Sequence, residues 1–150
     1  MDPTWIVSLK ERLKSKCVVD DRTGCVLWRG AVWSGTRYGR YSVKYPNGQR
    51  KEWRVHRLIL AIYMNTNLSA SSSSGSGSST SYSNTSTVHL ILPTHTPDHR
   101  PLEVSHLCHT PECINPQHLS LETHITNMER QHCVRQGHCS KDHNPHCLIH

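Results

Sequence analysis

The stretch VSHLCHTPECINPQHL, residues 104–119, decides how this chain is read. It places Cys108, Cys113 and His118 at intervals of five residues. Zinc takes four N or S donors in a tetrahedron, and a tight loop can supply three of them. The fourth must come from elsewhere. Cys25, which opens a β-prone run, is the natural donor, and Cys17, in the polar turn before it, is the rival. Further on, Cys133, Cys139, His143 and Cys147 form a complete local set, with His138, His146 and His150 as spare nitrogens. Scattered surface histidines and buried free thiols are the bland alternative. They do not account for two clusters of metal-like spacing. The expectation is two structural zinc ions per chain, with Cys17 left free.

Composition agrees. Only 35% of the 150 residues are hydrophobic, against roughly 45–50% in ordinary globular domains, and there is no Phe. A large oily core is not expected, and metal binding, which becomes folding energy, offsets the thin one. Nine of the 13 His and five of the 7 Cys lie after residue 100, which concentrates the metal chemistry there. The odd Cys count and the opening MDPTWIVSLKERL, which has no signal-peptide core, disfavour a secreted, disulfide-stapled protein. No apolar run approaches the ~18 residues of a membrane span. The expected location is intracellular, and nuclear in a eukaryote, with no membrane partner. Residues 1–67 carry 13 Lys/Arg against 5 Asp/Glu, and residues 88–150 carry 4 against 6. A basic N-terminal half points to a polyanion, most simply nucleic acid.

The local pattern predicts a helix over residues 3–15, capped by Asp2, with Trp5, Ile6, Leu9 and Leu13 on one face. Strands follow at 25–28, 41–45 and 51–56, the last two joined at the Asn47-Gly48 hairpin signal. A helix is expected from Arg57 to about Met64. Residues 68–87 read as a flexible Ser/Gly insert, because they offer too little apolar surface to fold. Beyond it, the layout is strand (104–106), zinc-pinned loop, strand ending at Leu121, and helix (123–131). His106 stands at the mouth of the loop and Asn127 about one turn into the helix, so an imidazole and an amide oxygen can meet at one phosphate. The chain is thus one zinc-bound α+β domain: an N-terminal helix and basic antiparallel sheet (1–67), the insert, and the zinc region (88–150).

SHLCHTPECINPQHL followed by Asn127 resembles the zinc-binding active-site region of the His-Cys box homing endonucleases, members of the ββα-metal (His-Me finger, HNH-like) nucleases. The closing segment from Cys139 to Cys147 is similar to the family's second zinc site. Upstream, GCVLWRGAVWSGTRYGRYSV and VHRLILAIY resemble the lead-in of phage-type HNH homing nucleases. The resemblance covers residues 24–66 and 103–147.

It implies a small zinc-stabilised ββα-metal fold and a metal-dependent DNA endonuclease. His106 would be the general base, and Asn127 would hold one Mg²⁺ or similar divalent cation. Asn115 would brace the loop. The family also sets an Arg from the preceding sheet against the scissile phosphate. The matching position falls near Glu52, so Arg54 is the first choice, with Arg50 and Arg57 as alternatives. Double-stranded DNA is the implied partner, contacted by Arg37, Arg40, Lys44, Arg50, Lys51 and Arg54. A homodimer is compatible with this, although the swapped C-terminal tail of family members has no counterpart before His150. The reading from another class is a non-catalytic zinc module that binds nucleic acid.

Overall fold

The computed structural model describes residues 3–68, 89–139 and 141–149. Helix α1 (Thr4–Lys14) starts directly after Pro3, whose carbonyl accepts from the N–H groups of Ile6 and Val7 at 2.9 and 3.2 Å. Asp2, the expected cap, lies outside the described residues. Ile6, Leu9 and Leu13 face inward, and Trp5 packs edge-on against Tyr45 at 5.7 Å.

Two ribbons follow instead of one continuous sheet. Strand β1 (Cys17–Asp20) pairs with β2 (Cys25–Trp28), and β3 (Arg40–Lys44) pairs with β4 (Arg50–Arg54), both antiparallel. The sequence reading places Cys17 in a polar turn, yet it opens β1. Val18 and Val19 are both exposed, so the alternation that announces a strand is missing. The tight 21–24 turn makes the pairing: Gly24 takes φ +70° and its N–H reaches the Asp20 carbonyl at 2.8 Å.

Strand β4 passes without a loop into α2 (Val55–Leu68), two residues earlier than expected. The Val55 N–H bonds the Gly39 carbonyl at 2.9 Å, and Val55 and His56 are buried in the first turn. Helix α2 is the centre of the core. Its Val55, Leu58 and Ile62 pack with Leu9, Trp28, Trp53, Val104 and Leu119 from the surrounding elements. Apart from Leu68, which ends α2, the Ser/Gly insert lies outside the described residues, as does His150.

Strand β5 (Leu102–His106) pairs antiparallel with β6 (Leu119–Thr123), setting His106 opposite Leu119 with the zinc loop between them. Helix α3 (His124–Gln136) leaves β6 directly and ends where Gly137 takes a left-handed φ of 73°. It runs past residue 131, where the sequence reading ends it, because Arg130 and Cys133 are buried along its later turns. The result is an α+β fold closed by a ββα unit.

Candidate metal centres and active-site cleft

The first metal centre depends on the outer edge of β2. There the zinc loop adds a short strand-like pairing: Trp28 N–H to Glu112 O at 2.9 Å, and Ile114 N–H to Val26 O at 2.7 Å. This brings Cys25 to Cys108, Cys113 and His118, and the four donor atoms lie within 4.8 Å of one another. His118 Nδ1 is 3.6 Å from both Cys25 Sγ and Cys113 Sγ. A tetrahedral zinc with Zn–S ~2.3 Å and Zn–N ~2.0 Å requires an S···N separation of about 3.5 Å, so the donor set fits the ion. The crowded thiols point the same way. A hydrogen bond from Cys113 holds Cys108 down to about 4, and the same contact pushes Cys113 up. A divalent cation would let both ionise. Cys17 lies elsewhere, its thiol donating to the Leu13 carbonyl at 3.1 Å. Asn115 braces the loop: its Nδ2 donates to Gly24 O at 2.8 Å and its Oδ1 accepts from Gln117 N–H at 3.0 Å.

The second centre joins Cys133 of α3 to Cys139, His143 and Cys147 of the closing segment, again within 4.8 Å. His143 Nδ1 faces the sulfurs of Cys133, Cys139 and Cys147 at 3.6, 3.4 and 3.8 Å. Arg130, one turn before Cys133, donates to Cys147 Sγ at 3.5 Å and to the Pro145 carbonyl at 2.8 Å. It also makes two bonds to the Glu122 carboxylate, at 2.6 and 2.9 Å. Nothing in residue spacing announces this Arg. Elemental analysis of purified protein is expected to give two zincs per chain, and Cys113→Ala or Cys139→Ala one or fewer. A wild-type value of one would contradict a centre.

His106 and Asn127 line one cleft of about 200 Å³ with Tyr38, Ser105 and His109. His106 Nε2 lies 3.0 Å from the Cys113 carbonyl. A carbonyl only accepts, so Nε2 carries the proton and Nδ1 keeps its lone pair. Burial pushes the ring below the ordinary imidazole value, opposed by Cys108 and the Cys113 carbonyl. Tyr38 stacks on His106 at 5.9 Å, and His56 packs against it at 4.9 Å. Burial first, then His106, Arg54 and Arg57, lower His56 to about 3, so it stays neutral. The sequence reading gives His56 no part, although the ring packs against the candidate base. It also assigns none to His109, whose buried ring nitrogens have no hydrogen-bond partner and whose φ is 55°. Neither position stands in a spacing that marks it, since only packing sets them beside His106.

The cations separate into groups. Arg40 pairs with Arg54 and Lys44 with Arg50 across the β3–β4 ribbon, on the face opposite buried Val43 and Trp53. Lys51 sits on the other face, over the Trp53 ring at 4.2 Å, and so does not join them. Arg37 is tied to Glu112 of the zinc loop at 2.6 Å. Arg54 is over the Tyr38 ring at 5.4 Å, one aromatic ring away from His106. Arg50 lies four residues back along β4, ~13 Å at strand spacing. Half-buried Arg57, in the first turn of α2, feels Arg54 on one side and Glu103 on the other.

Two Cys₃His centres flanking a ββα unit, with an imidazole and an amide in the cleft between, define a zinc-stabilised ββα protein of nuclease type. A family model described as the zinc-binding loop region of homing endonuclease matches residues 34–150, and the chain belongs to this family, of His-Cys box homing endonuclease type. No curated protein and no solved structure matches it. Among the described residues, no helix is long and apolar enough to cross a membrane.

Proposed function

We propose that this chain is a Mg²⁺-dependent endonuclease that hydrolyses phosphodiester bonds in double-stranded DNA. The cleft carries the reading: an imidazole with Nδ1 free and an amide side chain line one cavity large enough for a phosphate. Hydrolysis needs an activated water and relief of the charge that develops on the phosphate and leaving oxygens. His106 Nδ1 takes the proton from the attacking water. Asn127 Oδ1 would hold one Mg²⁺, a hard cation that takes oxygen ligands and would neutralise charge at the leaving oxygen. Arg54, with Arg57 behind it, faces the scissile phosphate. Arg40, Lys44 and Arg50 on the exposed ribbon face, with Arg37 at its border, contact the DNA backbone and base edges, and Lys51, on the opposite face, is not among them. Intracellular residence, nuclear in a eukaryote, goes with this substrate and with six of the seven thiols kept for metal.

Supercoiled plasmid tests the proposal. Incubation with Mg²⁺ is expected to produce nicked and then linear DNA, and omission of Mg²⁺ to stop it. A protein that binds plasmid but leaves it supercoiled at every Mg²⁺ concentration would be a non-catalytic nucleic-acid-binding module instead.

A further inference from the structure

We propose that Glu103 is a positioning residue that aims the Asn127 amide oxygen at the catalytic cation, an inference that rests on the nuclease reading above. Asn127 Nδ2 donates to Glu103 Oε2 at 2.7 Å. An ionised carboxylate has no proton to give, so the amide must present its nitrogen to Glu103. The usual ambiguity between amide O and N is thereby removed. Oδ1, the only atom of the side chain able to bind a cation, is turned away from Glu103, and the residue lines the cleft that holds His106. An untethered Asn at this place would rotate about its last bond and offer its NH₂ to the site much of the time.

The carboxylate is itself held. His124, the first residue of α3, lies with Nδ1 2.9 Å from Glu103 Oε1. The Asn127 hydrogen bond, followed by the hydrogen bond and charge of His124, lowers the Glu103 pKa against its partial burial. Glu103 also stands directly opposite Glu122 across the β5–β6 ribbon. Two like charges at such a pair are unfavourable. The pair is tolerated because both carboxylates turn to α3, Glu122 to Arg130 and Glu103 to Asn127. The same device sets His106: an acceptor-only partner, the Cys113 carbonyl, decides which atom of the side chain faces the reaction. Partners of this kind are worth 10–100-fold in metal affinity or activity.

The competing role is a plain tie between β5 and α3, and the test separates the two. Mn²⁺ would be titrated, with EPR detection of the free ion, into His106→Ala protein bound to duplex DNA, which holds substrate uncut. Adding Glu103→Ala is expected to weaken Mn²⁺ binding ~10–100-fold, with two zincs and the melting temperature retained. Glu103→Gln keeps an acceptor oxygen and is expected to restore most of the affinity. In plasmid nicking, Glu103→Ala should raise the Mg²⁺ requirement and recover at high Mg²⁺. On an Asn127→Ala background it should have no further effect. If the Ala variant melts early, Glu103→Val, a good strand former with no acceptor, takes its place. Unchanged Mn²⁺ affinity in the variant that folds, or losses that add to those of Asn127→Ala, would overturn the inference while wild-type nicking still stands. If wild-type protein does not nick and the His106→Ala complex binds no Mn²⁺, the nuclease reading falls and takes this inference with it.

Discussion

Replacing His106 by Ala is expected to slow DNA cleavage ~10²–10⁴-fold, the usual worth of a general base. Zinc content and DNA affinity should stay near wild type. His106 belongs to neither donor set, and among the described residues its ring bonds only the Cys113 carbonyl. That bond contributes about 1 kcal/mol, too little to release a loop that supplies three ligands to one metal centre. Single-turnover nicking at saturating protein reads the chemical step and separates it from binding. The Ala variant tests the base, because nothing else in the cleft has the Nδ1 geometry set by Cys113. His109 is the other imidazole lining the cleft, and neither of its buried ring nitrogens has a hydrogen-bond partner to set its tautomer. A variant that cleaves at the wild-type rate would show that the base lies elsewhere and that the zinc loop serves only as scaffold.

Arg130→Met should have the largest effect on stability, about 3–5 kcal/mol. The Arg130 side chain is 1% exposed and that of Glu122 is 9% exposed. Removing the guanidinium strands a buried carboxylate, leaves the Pro145 carbonyl without its donor, and strips the Cys147 sulfur of a cationic neighbour. For a chain of this size that is a fall of roughly 6–20 °C in melting temperature. The second zinc should also become easier to extract, since an unshielded three-thiolate centre carries uncompensated negative charge. Melting curves and the rate of zinc capture by a chromogenic chelator check both halves. Arg130→Met/Glu122→Leu should recover part of the loss, because no charge is then left buried alone. A single variant that melts within 2 °C of wild type would mean that the pair contributes little beyond what it costs to bury.

The same chemistry explains which features were legible without coordinates. Cysteine and histidine at metal spacing carry their meaning in one dimension, since a tight loop constrains which donors meet. Cys108, Cys113 and His118 could therefore be grouped in advance, with Cys25 as first choice for the fourth donor and Cys17 as its rival, as could the local set from Cys133 to Cys147. The Asn47-Gly48 hairpin and the apolar face of α1 belong to the same kind of signal, because turn chemistry and helical periodicity act between near neighbours. β1 gave no such signal. Its residues pair with β2 only because the Asp20–Gly24 turn closes, and its exposed Val18 and Val19 follow no alternation.

What the amino-acid order by itself determined is the donor chemistry: three donors in one loop, a complete local set of four, a basic N-terminal half, and an imidazole and an amide bracketing the zinc loop. What tertiary structure alone decided is which donors and orienters meet. The outer edge of β2 had to accept residues 112–114 before Cys25, rather than Cys17, could join the first centre. The packing of α3 on β5 and β6 had to occur before Glu103 could reach Asn127 and Glu122 could reach Arg130. The β3–β4 register had to form before Arg54 lay one ring from His106 while Arg50 and Lys51 were carried elsewhere. These partners stand 8 to 93 residues apart, and no short-range rule links them. Their meeting depends on the burial of a shared core, which is a property of the folded chain as a whole.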